Sequence, residues 1–264
     1  MPEGDTIHHA ALRVGAVLAG QVPDAVETPH PRFSRDRWPE RLAGRRVDAV
    51  EALGKHLLIR FEGGLVIHSH LRMSGSWRIL RAGAPWPRPR RSAWLVMRRG
   101  GHEAVQFNGP VLELLTSARV RSDPRLARLG PDLVAPAPFD EAKFLLRLRE
   151  DDQTRGLGDA LLDQHIVAGI GNFWKSEGCW LAGVDPWRRL GDVDDDEALA
   201  VVRGIRPLMQ ASARHGRQRS RIATSRRRNH GHGETSQSPA SPVRSSRSPA
   251  STPRCTTRHR GRRT

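Results

Sequence analysis

The sequence predicts an α+β fold. It consists of an N-terminal β-sandwich with a flanking helix, a C-terminal helical domain, and a disordered basic tail. Three observations lead there. Short apolar and β-branched runs recur between Arg46 and Thr116, parted by glycine pairs. Beyond Pro138 the apolar residues shift to helical spacing. Past Ala213 they nearly vanish, and such a segment cannot bury enough surface to offset its ordering entropy.

Asp5 or Thr6 is expected to cap a first helix ending near Leu18, with Ile7, Ala10, Ala11, Val14 and Leu18 on one face. A strand begins at Val47. Others are expected over 55–61, 65–70, 93–97, 104–107 and 111–115, with Gly63-Gly64 and Gly100-Gly101 as hairpin turns. Ala84 to Arg91 carries three prolines and three arginines and reads as an exposed loop. The sandwich is assigned to residues 1–122 and a proline-rich linker to 123–139. The helical domain follows over 140–213, and the disordered arginine-rich tail over 214–264. Asp140 is expected to cap a helix with Ala142, Phe144, Leu145 and Leu148 inward. Further helices are expected over 158–165, 173–181 and 195–213, with Pro207 kinking the last or ending its regular bonding.

Formal net charge is +16. From Ala211 onward there are 14 arginines against one acid, Glu234, so the tail carries +13 and the preceding 210 residues only +3. A basic chain of this kind meets nucleic acid, by phosphate attraction. Two cysteines, Cys179 and Cys255, make no disulfide framework. Acids at Glu3 and Asp5 with no apolar segment after them do not fit a signal peptide. No apolar run reaches the ~18 residues of a membrane span. A cytoplasmic, nucleoid-associated monomer is expected.

The chemistry starts at the N-terminus. Removal of Met1 would leave Pro2 as a secondary amine beside the carboxylate of Glu3. An α-amine titrates near ~8 and a lysine near ~10.4, so the terminal amine is the stronger nucleophile at neutral pH. Such an amine can form an iminium with a sugar carbon, with Glu3 moving protons. At the other end, Gly169-Ile170-Gly171-Asn172 joins two helical patterns. Asn172 suits an N-cap, and the helix behind it a phosphate site, with Lys175 adding charge one turn inside. His68 and His70 share a strand face, but with no third ligand evident no metal site is assigned.

Four segments together resemble the formamidopyrimidine-DNA glycosylase / endonuclease VIII family, and within it the actinobacterial endonuclease VIII-like branch. They are Pro2-Glu3-Gly4-Asp5-Thr6, Gly54-Lys55-His56-Leu57-Leu58, His70-Leu71-Arg72-Met73-Ser74-Gly75, and Leu161 through Asn172, the last similar to the family's helix–two-turn–helix, which makes 140–213 a helix–two-turn–helix DNA-binding domain and 1–122 the catalytic one. The resemblance covers about residues 1 to 212. It implies a bifunctional DNA glycosylase/AP lyase of base excision repair acting on double-stranded DNA with damaged bases or abasic sites, and on oxidised pyrimidines in particular. By motif match Pro2 is the nucleophile, Glu3 protonates the sugar ring oxygen, and Lys55 holds a phosphate and donates a proton in elimination. Met73 fills the gap left by the flipped base or else packs in the core, Arg125 matches an intercalation-loop arginine, and Asn172 binds a flanking phosphate.

The chain departs from the family at its end. A zinc hairpin of two Cys-x-x-Cys pairs is usual there, and Cys255 is the sole cysteine in that region. No cofactor is identifiable. The Arg/Ser/Pro/Thr bias resembles a GC-rich gene read out of frame, which suggests a frameshift near residue 213. Two alternatives stand beside the repair enzyme: an impaired family remnant that only binds DNA, and a non-catalytic basic nucleic-acid-binding protein. Resequencing tests the frameshift: an alternate frame encoding four cysteines is expected, and its absence removes the idea.

Overall fold

In a computed structural model of the protein, residues 2–33 and 35–216 are described. The tail expected to be disordered lies outside them from residue 217. Helix α1 (Gly4–Leu18) is followed by strand β1 (Ala25–Glu27) and the short helix α2 (Trp38–Leu42). The sandwich strands are β2 (Val47–Leu53), β3 (His56–Phe61), β4 (Leu65–His70), β5 (Ser76–Arg81), β6 (Ala93–Arg99), β7 (His102–Phe107) and β8 (Val111–Thr116). Two short helices, α3 (Ser117–Arg121) and α4 (Pro124–Ala127), lead to α5 (Glu141–Glu150), α6 (Leu157–Leu162), α7 (Asn172–Ala182) and α8 (Asp195–His215).

The strands form two antiparallel four-stranded sheets, ordered β1-β6-β7-β5 and β2-β3-β4-β8. Gly63-Gly64 and Gly100-Gly101 turn the β3–β4 and β6–β7 hairpins, all four with positive φ. β1 and β5 escape the sequence reading. β1 has only three residues, and in Ser-Trp-Arg-Ile-Leu-Arg of β5 the exposed arginines hide a strand whose Trp77 is buried.

Several expectations change at element ends. Glu3, not Asp5 or Thr6, is the N-cap of α1, and the Asp5 carboxylate goes inward to accept from Ser212 Oγ at 2.6 Å. Ala142 is exposed, while Phe144 and Leu148 fill the inner face of α5. α6 stops at Leu162 rather than His165, because the Asp163 carboxylate takes the His165 N–H at 2.9 Å. α8 runs unbroken through Pro207 to His215, past the expected end at Ala213, and closes on Gly216 at φ +70°. Proline forfeits one ladder bond, but the Asp194–Glu197 capping box and the buried face of Val201, Val202, Ile205 and Met209 hold the helix. Thr116 and Asp123 cap α3 and α4 in the stretch read as end of sandwich and linker.

One core fills the sandwich under α1 and a second fills the helical domain. Between them Leu58, Val66, Val120, Leu126, Leu129 and Ala168 form a third cluster, so residues 117–129 pack between the two halves. α7 and α8 approach closely at Gly178, where a Cβ would lie 2.9 Å from Val201 Cγ1 and 3.3 Å from its carbonyl oxygen. Gly178→Ala is therefore expected to lower stability by ~1–3 kcal/mol through overpacking, read as a lowered denaturation midpoint.

Candidate active site

Glu3 is 1% exposed, and its carboxylate caps a helix 168 residues away in sequence. Oε2 accepts from the backbone N–H of Gly171 at 2.9 Å and of Trp174 at 3.2 Å, and Oε1 accepts from Phe173 N–H at 2.8 Å. These are the orphan donors of the first turn of α7, where the helix dipole favours a negative charge. Burial nevertheless raises the carboxyl above its ordinary value of 4.5, outweighing the backbone bonds and the charge of Lys55. Asn172 is thus corrected from N-cap to first helical residue, and the expected phosphate cradle of backbone N–H groups is already filled by Glu3.

Next to Glu3, Gly4 N–H donates to Gly169 O at 2.8 Å. A Cβ on Gly4 would lie 2.7 Å from Gly169 Cα, and Gly169 sits at φ +104°, so both positions need glycine. The half-buried Pro2 is therefore held beside the turn between α6 and α7.

The Lys55 turn is fixed from behind. Gly54, at φ +57°, donates its N–H to Asp132 Oδ2 at 2.8 Å, His8 Nε2 lies 2.9 Å from the same oxygen, and Val134 N–H reaches Oδ1 at 2.9 Å. Burial would raise the Asp132 carboxyl, yet His8 and the two N–H groups hold it below its ordinary range. Lys55 is half-buried and no plain surface lysine: burial lowers its pKa, and Glu3 partly counters that. Asp132 was not singled out from sequence, because an acid in a proline-flanked stretch carries no spacing signal.

Met73 is 71% exposed on the β4–β5 loop, which removes the core-packing reading. Lys175 Nζ donates to Asn172 Oδ1 at 3.3 Å, leaving the exposed Asn172 amide free to donate outward. Arg125 sits in helix α4 rather than on an intercalating loop. Its guanidinium bonds to Glu113 Oε2 at 2.7 Å and to Asp123 Oδ2 at 2.5 Å. The Arg125 hydrogen bond pushes the Asp123 carboxyl down to about 2.

Behind that pair runs a chain of imidazoles. His68 Nδ1 lies 3.0 Å from Glu113 Oε2, and His56 Nδ1 lies 2.8 Å from His68 Nε2. Burial first, then neighbouring charge, pushes His56 down to about 3 and His70 to about 4, so both are neutral at physiological pH. A carboxylate can only accept, so the geometry assigns the proton to Nδ1 of His68 and in turn to Nδ1 of His56. His68, Glu113 and Asp123 are close enough together to grip a metal, but the Arg125 guanidinium bonds to both carboxylates. The residues do not fit a four-cysteine zinc site either, since the sequence has two cysteines and one of them, Cys179, is buried in the helical core.

A carboxyl whose folded pKa is raised stabilises the fold while protonated. That contribution is complete below its ordinary value and fades as pH rises through the folded one. A 13C titration of the Glu3 carboxyl should therefore show a midpoint above 4.5. In Gly171→Ala, where a Cβ would lie 2.6 Å from Glu3 Oε1, the midpoint should fall back towards 4.5. That variant should also lose ~1–3 kcal/mol of stability as buried N–H groups go unpaired.

Comparison with known proteins bears on this geometry. A family model of the formamidopyrimidine-DNA glycosylase N-terminal domain matches residues 1–110, and one of the H2TH domain of the same glycosylase matches residues 129–224. A probable endonuclease 8 2 of Streptomyces coelicolor is 41% identical over 213 residues, 80% of this chain and 74% of that protein. A DNA-(apurinic or apyrimidinic site) lyase, Nei2, of Mycolicibacterium smegmatis is 36% identical over 211 residues, 79% of this chain and 77% of that one. Among solved structures, Lactococcus lactis Fpg in complex with DNA containing N7-benzyl-Fapy-dG superposes with a TM-score of 0.69 over 81% of this chain and 80% of that one. At 23% identity it shows a shared fold.

Proposed function

This chain belongs to the formamidopyrimidine-DNA glycosylase / endonuclease VIII family, and from that premise we propose how its residues carry out the reaction. The protein is a DNA glycosylase/AP lyase of base excision repair. With Met1 removed, the Pro2 amine attacks C1′ of a nucleotide flipped from duplex DNA, and the bond from C1′ to the base breaks. Loss of the Pro2 proton and opening of the sugar ring leave an iminium between Pro2 and C1′. Removal of a C2′ proton then expels the 3′ phosphate, and water releases Pro2 from the product.

Glu3 has two parts in this reading. Its carboxylate fixes α7 against the start of α1, and Oε1, with one hydrogen bond in the structure, keeps a second lone pair that can take up a proton and hand it on to the ring oxygen. Lys55, held by the Asp132 clamp, grips a phosphate and supplies a proton during elimination. Its lowered pKa makes proton release easier than from a solvated lysine. Asn172 and Lys175 take a flanking phosphate through the side-chain amide and ammonium. Met73 enters the space that the extruded base leaves. The lesion class is oxidised pyrimidines. The single observation that carries the reading is the bonding of Glu3 and Gly4 to residues 169–174, which supports a nucleophile beside the turn that leads into Asn172 and Lys175.

A folded remnant that only binds DNA is the competing reading, since Cys179 and Cys255 do not make up a four-cysteine zinc site. Borohydride trapping separates the two. Protein with verified removal of Met1 should cross-link to duplex DNA containing an oxidised pyrimidine, and Pro2→Gly should cut the yield by ~100-fold or more, the scale of losing a nucleophile's alignment. Salt-sensitive binding without any cross-link would leave the remnant. Lys55→Ala should slow strand cleavage at a preformed abasic site by ~100-fold, the scale of one proton-transfer catalyst, while the cross-link still forms.

A further inference from the structure

Three loops meet at the end of the sandwich that carries Met73. The β4–β5 loop is a tight turn, with Gly75 N–H bonded to Leu71 O at 2.9 Å, Arg72 at φ +48°, and Met73 projecting from its crest. The β7–β8 connection is only Asn108-Gly109-Pro110, too short to put a long side chain forward, and Asn108 sits at φ +48°. Ser74 Oγ donates to Asn108 O at 3.4 Å, and Asn108 N–H donates to Ser92 O at 3.0 Å, which ties in the third loop.

That third loop, between β5 and β6, is pinned at both ends. Trp86 stands edge-on to Phe107 with centroids 5.7 Å apart and donates its indole N–H to Glu103 Oε2 at 2.8 Å. Arg90 lies over the Trp86 ring at 5.2 Å and pairs with Glu27. Prolines at 85, 87 and 89 further limit the backbone. From the middle of the loop, Arg88 Nη1 donates to Ser74 O, the carbonyl next to Met73, at 3.2 Å. Among the described residues no carboxylate lies within ion-pairing range of Arg88, whereas Arg90, Arg98 and Arg125 are all paired.

We propose that Arg88 is the DNA-contacting cation of the Met73 wedge: one guanidinium N–H buttresses the wedge loop, and the others bind acceptors of the duplex beside the point of entry. This rests on Met73 entering the duplex. One of the five guanidinium N–H groups is used on Ser74, which leaves four for a phosphate oxygen or a base edge. The pinned loop holds the charge in place before DNA arrives, so little ordering is lost on binding.

The test is binding of the full chain to a duplex bearing a tetrahydrofuran abasic analogue, followed across a salt series. Arg88→Ala and Arg88→Gln should each weaken binding ~10-fold, with an unchanged melting temperature. The glutamine amide can still donate to Ser74 O, so a loss shared by both variants reports DNA contact rather than loop support. A contact to phosphate should lower the salt slope by about one, with Arg88→Lys restoring it, whereas a contact to a base edge should leave the slope and change the dependence on the opposite base. Arg88→Gln binding like wild type while Met73→Ala binds weakly would overturn the Arg88 assignment alone. Wild-type binding by Met73→Ala would overturn the wedge reading and this inference with it.

Discussion

The rest of the molecule depends on one carboxylate. Glu3 meets three N–H groups at the start of a helix that begins 169 residues later in the chain, so one side chain ties the start of α1, packed on the sandwich, to the helical domain. A carboxylate in the interior is costly unless it is hydrogen-bonded, and the first turn of α7 supplies unpaired donors and a favourable dipole together. Each therefore satisfies the other. The same contact sets the direction in which residue 2 leaves the fold, and so couples global folding to the geometry of the reaction.

Behind that contact stands a second polar layer. Asp132 gathers His8 from α1, Gly54 from the lysine turn and Val134 from its own loop. On the outer face of the β3–β4 pair, His56, His68, Glu113, Arg125 and Asp123 form a continuous hydrogen-bonded row. Polar networks are rigid where their members are buried and paired, as the Asp132 side chain and the His56–His68 pair are, and the two back the strand ends from which Lys55 and the Met73 loop emerge. The chain thus fixes its candidate site by polar bonding from below, while apolar cores above and below hold the layers together.

Much of this was legible in the sequence. Among the described residues alternating runs marked six of the eight strands, glycine pairs marked the β3–β4 and β6–β7 hairpins, and helical spacing marked α1, α5, α7 and α8. What stayed hidden has physical causes. β5 shows arginines to water and so lacks a clean apolar signal, and α3 and α4 are short helices set by Thr116 and Asp123 caps inside a proline-containing stretch. Pro2, Glu3 and Lys55 could be found as a group through local motifs, but their supports could not. Asp132 and Gly169 act across more than a hundred residues, and no local pattern encodes a partner at that distance. The ion pairs of Arg125 were equally hidden, since the sequence does not show that Glu113 of β8 and Asp123 converge on one guanidinium.

The Asp132 clamp also bears on how such a protein can be divided and recombined. A boundary drawn through the proline-rich stretch leaves His8 and Gly54 on one fragment and their shared carboxylate on the other. Chimeras between relatives that splice there would mix halves whose contact surfaces did not diverge together. The start of α1, the lysine turn, Asp132 and the 168–174 bend make one bonded unit out of four stretches scattered along the chain.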